Sequence, residues 1–275
     1  MAITNLVTRT LYGLLFAVIM VGSIIYDQVL FAFIMFVFCL IGVSEMAKLH
    51  PKYKFHNFDK LLFSISSLLV FIPLTFVALE FSESKILLLT LIGLLLPFIH
   101  GLFSKKIPFS ELALVHWSSI LFVAFPAGLM FFFFNENVTG LMAGPYLLLA
   151  VIMFIWLNDI FAYLVGSQFG KTRLFARISP KKSWEGSIGG LFFTLLSAYL
   201  LSVFTDWISM KDALLIASII VIFGSLGDLI ESMMKREANV KDSGKILPGH
   251  GGVLDRFDAT FFAVPFVFIY LILIQ

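Results

Sequence analysis

The polar residues best suited to chemistry are concentrated in one stretch, residues 232–258, between two strongly hydrophobic segments. The stretch contains one histidine, His250, and four glycines. Its charged residues include three aspartates and five cations: Asp242, Asp255, Asp258, Lys235, Arg236, Lys241, Lys245 and Arg256. Cations and carboxylates around glycine-rich backbone are suited to binding a polyphosphate together with a divalent metal ion. We therefore predict that this stretch carries the active site.

Carboxylates near this stretch are candidate metal ligands. Mg²⁺ usually takes one or two carboxylates together with substrate phosphates and water. Asp228 and Asp255 flank the loop and are predicted to supply that pair, with Asp159 and Glu231 as further candidates. Each of the two principal aspartates has an acidic neighbour three residues further on, Glu231 or Asp258. At that spacing the two side chains share one face of a helix.

The other polar groups of the stretch are predicted to contact phosphate. Lys235, Arg256 and His250 are the candidates for catalytic roles, and we expect His250 to form a hydrogen bond, because an unprotonated phosphate oxygen needs little help from a base. The candidates for substrate binding are Arg236, Lys241, Asp242, Gly251 and Gly252. Glycine backbone can approach phosphate closely and present its N–H groups. The alternative for the glycines is a tight loop that re-enters the membrane.

A second basic loop covers residues 166–187. Its start resembles a P-loop, but three residues separate Gly166 from Gly170 where a Walker A loop needs four, so we reject that interpretation. Further along, Gly186 and Gly190 have the spacing of a close helix-packing motif. The predicted substrate-binding residues of this loop lie in the segment Ser-Pro-Lys-Lys-Ser-Trp-Glu-Gly and are Ser179, Lys181, Lys182 and Ser183.

The composition of the chain indicates a membrane protein. Hydrophobic residues make up 60% of the sequence, charged residues 13%, and the mean hydropathy is +1.02. Apolar runs close to the length of a spanning helix occur near 11–26, 29–47, 61–79, 86–99, 112–134, 145–165, 188–204, 213–231 and 257–274. We predict an all-α polytopic integral membrane protein with about nine transmembrane helices and no soluble domain.

The distribution of basic residues predicts the orientation. When the loops between nine spans alternate between two faces, 17 of the 19 lysines and arginines fall on one face, and only Lys85 and Lys211 on the other. By the positive-inside rule, the N-terminus is cytoplasmic and the C-terminus lies outside. We expect a bacterial cytoplasmic (inner) membrane protein whose active site faces the cytoplasm.

The stretch at 232–258 resembles the signature of the phosphatidate cytidylyltransferases, the CDP-diacylglycerol synthases, at every fixed position. The resemblance extends to the Ser179–Gly186 segment, to Asn158 with Asp159 and to Gly227–Ser232, roughly the last 120 residues. We therefore divide the chain into N-terminal spans, residues 1–144, and a catalytic membrane region, residues 145–275, with cytoplasmic loops 166–187 and 232–256.

The resemblance implies an all-helical membrane enzyme, often a homodimer, acting at the surface of the lipid bilayer. It implies that CTP and phosphatidate react to give CDP-diacylglycerol and pyrophosphate with Mg²⁺, and that Asp228 and Asp255 are the metal aspartates. No nucleic acid partner is expected.

Two alternative functions remain open from the sequence, and a third is excluded by its missing motif. A membrane transporter or ion channel would also use intramembrane carboxylates, although we find no inverted repeat and the polar residues lie toward one face. The metal-binding motif of the CDP-alcohol phosphotransferases is absent. A member of the cytidylyltransferase family acting on another lipid phosphate or another nucleotide would carry the same signature.

Lys85 and Lys211 lie on the face opposite the predicted active site, so Lys85→Ala and Lys211→Ala should each leave turnover unchanged. Turnover is measured as incorporation of label from CTP into lipid by the detergent-solubilised protein. A large loss in either variant would contradict the predicted topology.

Overall fold

The computed structural model describes residues 2–141, 143–246, 249 and 251–274, with side chains from Thr10 onward. Among the described residues, eight helices are long and apolar enough to cross a membrane, and a shorter apolar helix covers Thr10–Tyr26. These helices correspond one for one to the nine predicted runs. The all-α polytopic fold is therefore confirmed, whereas the orientation of the termini stays a prediction.

The helices follow the chain with short connections. They are α1 (Ala2–Tyr26), α2 (Gln28–Lys48), α3 (Asn57–Ala78), α4 (Leu88–Phe103), α5 (Phe109–Ser119), α6 (Phe125–Leu129), α7 (Glu136–Thr139), α8 (Pro145–Phe169), α9 (Trp184–Phe204), α10 (Met210–Glu237) and α11 (Leu254–Leu273). Between α8 and α9, two strands form an antiparallel hairpin, β1 (Arg173–Phe175) and β2 (Ser179–Ser183). A π-helical turn, Ile120–Ala124, joins α5 to α6 just before Pro126. Such a turn adapts the backbone where the proline removes a helical hydrogen bond.

The chain divides into two compact units. Unit 1 comprises Met1–Phe132 and Glu237–Phe257. Its core is aromatic, because Phe31, Phe63 and Phe131 are fully buried and the ring centroids of Phe31 and Phe131 lie 5.2 Å apart. Phe63 also packs edge-on against the imidazole of His116, at 4.7 Å between centroids.

A chain of four buried polar side chains connects three helices of unit 1. Asp59 and Ser66 belong to α3, His100 to α4 and His116 to α5. Asp59 Oδ1 lies 3.0 Å from His100 Nε2, and His100 Nδ1 lies 3.0 Å from His116 Nε2. His116 Nδ1 in turn lies 2.7 Å from Ser66 Oγ. Since buried polar groups need hydrogen-bonding partners, these contacts fix the relative positions of α3, α4 and α5.

Unit 2 comprises Phe133–Arg236 and Asp258–Gln275. Helices α8 and α9 pack closely because small residues face each other, as the spacing of Gly186 and Gly190 predicts. A Cβ at Gly186 would lie 2.7 Å from the carbonyl oxygen of Ala162, and one at Gly190 would lie 2.9 Å from that of Asn158. Both distances are too short for a side chain.

Aromatic contacts connect α10 and α11 within unit 2. The rings of Phe223 and Phe266 stack at 3.6 Å between centroids. Toward the other end of α11, the Tyr270 hydroxyl donates to Asp212 Oδ1 over 2.7 Å. These contacts fix α10, which carries several predicted site residues, against α11.

Gly190→Val should destabilise the protein by about 1–3 kcal/mol, because overpacking a close helix contact forces the backbones apart. The measurement is thermal unfolding of the purified protein in detergent. Gly22→Val provides the matched control, since no atom lies within 4 Å of a Cβ built at Gly22. Equal unfolding temperatures for the two variants would contradict the packing assigned to Gly190.

Candidate active site

The predicted segment Ser179–Ser183 forms strand β2, and Ser183 then begins helix α9. Arg173 pairs with Ser183 across the hairpin. Ser183 is buried, and its Oγ accepts a hydrogen bond of 3.2 Å from the backbone N–H of Gly186. A serine in this N-cap position satisfies one of the unpaired N–H groups of the first turn. Ser183 therefore positions the two lysines that precede it.

A cavity of about 500 Å³ lies in unit 2 beside this hairpin. Arg173, Lys181 and Lys182 line it from the hairpin, Asp159 from α8 and Asp228 from α10. Three cations and two carboxylates thus face one space. Such a cavity can bind phosphate groups through the cations, and its carboxylates supply the hard oxygen ligands that Mg²⁺ prefers.

Asp228 is held in this cavity by two partners. The Lys182 Nζ atom lies 2.6 Å from Asp228 Oδ2, with about a third of each side chain exposed. The Ser232 hydroxyl donates to Asp228 Oδ1 over 3.2 Å. The sequence places Lys182 and Asp228 in separate predicted segments, and the structure brings their side chains into direct contact.

One turn further along α10, Lys235 and Glu231 form a buried ion pair. Their charged atoms lie 2.5 Å apart, and the Glu231 side chain is fully buried. The predicted catalytic residue Lys235 and the predicted metal ligand Glu231 therefore bind each other. This pairing gives both residues a structural role in α10.

Three carboxylates of unit 2 lie close enough to Asp258 for their charges to act on it. Asp258, on α11, interacts electrostatically with Asp228, Glu231 and Asp159. Within the described part of the chain, no three His, Cys, Asp or Glu side chains are grouped as ligands of one metal ion. The arrangement fits Mg²⁺ bound by one or two carboxylates and completed by phosphate and water.

Residues 237–257 of the signature stretch belong to unit 1 and are called the signature loop, which Asp255 organises. Asp255 Oδ2 accepts hydrogen bonds from the N–H of Ser243 at 2.9 Å, from its hydroxyl at 2.9 Å and from the N–H of Gly252 at 2.7 Å. Gly251 has a φ of +87°, a conformation that favours glycine. The N–H of Gly252 is thus used within the loop, which favours the tight-loop interpretation of these glycines over direct phosphate contact.

Glu45 of α2, which is not among the residues predicted from the sequence, contacts the same loop. This buried glutamate accepts hydrogen bonds at Oε2 from the N–H of Leu254, at 3.0 Å, and from the hydroxyl of Ser243, at 3.1 Å. The one signal in the sequence was an acidic residue inside an apolar run, where a charge is costly unless it has a partner.

Most of the remaining predicted residues are exposed at the surface of their unit. Those with exposed side chains are Arg236 in unit 2 and Lys241, Asp242 and Arg256 in unit 1; Ser179 is partly exposed on β2. His250 lies outside the described residues. The predicted site residues are thus distributed over both units.

Lys235→Met should destabilise the protein by about 3–5 kcal/mol, because removing one member of a buried ion pair leaves the other charge without compensation. The double variant Lys235→Met with Glu231→Gln should recover most of this stability, as measured by thermal unfolding in detergent. A double variant no more stable than Lys235→Met would contradict the pairing. The recovered variant also allows a catalytic role of Lys235 to be tested apart from folding.

Comparison with known proteins supports these observations. The profile of the "Cytidylyltransferase family" matches residues 7–274. Proteins named "Phosphatidate cytidylyltransferase" are similar to this chain in Staphylococcus aureus (strain COL), with 44% identity over 150 residues, and in Haemophilus influenzae (strain ATCC 51907), with 47% identity over 128 residues. The first alignment covers 53% of this chain and 55% of the relative, and the second 45% and 44%.

The chain thus matches about half the length of these curated relatives. The family profile takes in nearly every residue, including all the segments that form the cavity and the signature loop. On this match, the chain belongs to the cytidylyltransferase family.

Proposed function

We propose that this protein transfers CMP from CTP to phosphatidate, producing CDP-diacylglycerol and pyrophosphate for phospholipid synthesis. The names of its relatives and the complete signature at 232–258 support this activity. The observation that carries the proposal is the cavity of unit 2, which Arg173, Lys181 and Lys182 line together with Asp228, the partner of Lys182. That combination suits a triphosphate and a lipid phosphate, whose charges must be neutralised before they can approach each other.

In the proposed reaction, an oxygen of the phosphatidate phosphate attacks the α-phosphorus of CTP. A new P–O bond forms while the bond from the α-phosphorus to the oxygen bridging to the β-phosphate breaks, and pyrophosphate leaves with that oxygen and its electron pair. Such a transfer requires little covalent chemistry from the protein, so positioning and charge stabilisation supply most of the catalysis. We assign this role to Arg173, Lys181 and Lys182.

Lys182 is oriented before substrate binds, because its ammonium is already within 2.6 Å of Asp228. A preorganised cation needs no rearrangement when negative charge develops on the leaving group. Lys181, its exposed neighbour, lines the same cavity and is assigned to a phosphate contact.

We propose, from the sequence, that Mg²⁺ is held by Asp228 and Asp255; within unit 2, the carboxylates of Asp228 and Asp159 in the cavity fit such an ion. Asp159, a further candidate from the sequence, lines the same cavity as Asp228. When bound, Mg²⁺ would offset the negative charge of the triphosphate. We further propose that the active site faces the cytoplasm at the bacterial inner membrane, in agreement with the distribution of basic residues, and that the enzyme is a homodimer.

The activity is tested by incubating the detergent-solubilised protein with radiolabelled CTP, phosphatidate and Mg²⁺, and by measuring label in the chloroform extract. We expect label in lipid only when phosphatidate is present. Asp228→Asn and Asp255→Asn should each lower turnover on the order of 100-fold or more, as expected for loss of a group that stabilises the transition state. The asparagine at 255 retains one acceptor oxygen for the loop, so folding should persist.

Two controls accompany this assay. Thermal unfolding of the asparagine variants separates loss of catalysis from loss of structure, and Glu83→Gln, at an exposed surface ion pair with Lys85, should retain full turnover. Near-normal activity of either aspartate variant would remove that carboxylate from the metal site. Well-folded wild-type protein that incorporates no label would overturn the proposed substrates.

A further inference from the structure

Glu45 is a buried carboxylate within a hydrophobic helix, and its contacts explain its position. Its residue is 2% exposed. In addition to the hydrogen bonds from Leu254 and Ser243, the backbone N–H of Val253 donates to it. A buried charge is costly unless it is hydrogen-bonded. The three donors all come from the signature loop and the first residue of α11, so Glu45 is stabilised only when this loop has its folded conformation.

Helix α11 lacks a capping side chain of its own at its first residue. The residue before Leu254 is Val253, which has no acceptor, whereas serine, threonine or aspartate normally serves there. The first N–H groups of a helix have no partner within the helix. Glu45 accepts from the first of them, the N–H of Leu254, and its negative charge is also favoured by the dipole at the helix N-terminus. A residue of α2 therefore caps α11.

Ser243 connects this cap to Asp255. The single hydrogen of its hydroxyl is shared between Glu45 Oε2, at 3.1 Å, and Asp255 Oδ2, at 2.9 Å, while its N–H donates to the same oxygen of Asp255. A Cβ at Gly244 or Gly252 would overlap the carboxylate of Glu45. The loop backbone thus encloses Glu45, and the position of Asp255 depends on Ser243, which Glu45 holds.

We infer that Glu45 is a positioning residue for the active site, acting through Ser243 and the start of α11 to orient the carboxylate of Asp255. The inference rests on the proposed function, because Asp255 matters for catalysis only as a ligand in cytidylyl transfer. Glu45 itself need not touch substrate. Its effect should therefore appear as weaker metal binding and a more open loop, not as loss of the fold.

Hydrogen exchange of the detergent-solubilised full-length protein tests the structural part of this inference. In Glu45→Ala, amide exchange should rise in peptides covering residues 243–255 and stay unchanged in α8 and α9. Glu45→Gln, which keeps one acceptor oxygen, should show a smaller rise. Glu111→Gln is the matched control, because Glu111 lies in the same unit and pairs with the exposed Lys52 at 2.7 Å. Unchanged exchange of the loop in Glu45→Ala would overturn the capping role.

The dependence of activity on Mg²⁺ tests the functional part. The Mg²⁺ concentration for half-maximal lipid labelling should rise at least about 10-fold in Glu45→Ala, the size found when a partner of a metal ligand is lost, with a smaller rise in Glu45→Gln and none in Glu111→Gln. A structural defect alone would lower the amount of active protein without moving this concentration. Increased loop exchange with an unshifted Mg²⁺ dependence would overturn the positioning role.

These outcomes are distinguishable from a failure of the proposed function. If the wild-type protein is found to transfer no cytidylyl group, Mn²⁺ binding measured by electron paramagnetic resonance replaces the activity measurement. Weaker Mn²⁺ binding in Glu45→Ala than in Glu111→Gln would then support the positioning of Asp255, and equal binding would contradict it. Amide hydrogen exchange of residues 243–255 tests the capping role of Glu45 whether or not the protein has the proposed activity.

Discussion

The pairing of charged groups away from water is the constraint on which the described sites depend. A charged side chain that is buried needs a counter-charge or several hydrogen bonds. Without them, the free-energy cost of its desolvation exceeds the stabilisation gained from packing. Glu231 meets this requirement through Lys235 one turn further along the same helix. Glu45 meets it through three donors in a loop roughly 200 residues away in sequence. In both places a costly buried charge makes one conformation strongly preferred over others.

This requirement changes how the basic residues should be interpreted. From the sequence, Lys181, Lys182 and Lys235 are all candidates for phosphate contacts. In the structure, Lys235 forms an ion pair with the buried carboxylate of Glu231. Lys182 lines the cavity and also forms an ion pair with Asp228. Lys181 lines the same cavity with an exposed side chain. The three lysines therefore differ in the work they can do, although their residue type is the same. The hairpin that carries Lys181 and Lys182 connects the closely packed helices α8 and α9, and Lys182 contacts Asp228 of α10.

Much of the fold could be predicted from the sequence, because hydropathy reports directly on spanning helices. The small residues at Gly186 and Gly190 also gave a correct indication of close packing. The hairpin at Arg173–Ser183 was not predicted, because its strands are too short for alternation to be recognised. The role of Glu45 could not be found either, since hydropathy marks a charge in an apolar run but does not identify its partner. The predicted groups contain residues that are neighbours in the sequence. The observed hydrogen bonds also connect distant segments, as between Glu45 and Leu254.

The chain of polar side chains in unit 1 has a further consequence. Both ring nitrogens of His100 and of His116 are used in these contacts, so a hydrogen on one nitrogen determines whether the nitrogen facing it can accept. The tautomers of the two imidazoles are therefore not independent. A change at any one member reorders the hydrogen bonds of the others, so the effects of substitutions along the chain should be strongly non-additive. Three helices that hydropathy treats as separate spans thus share a single cooperative link.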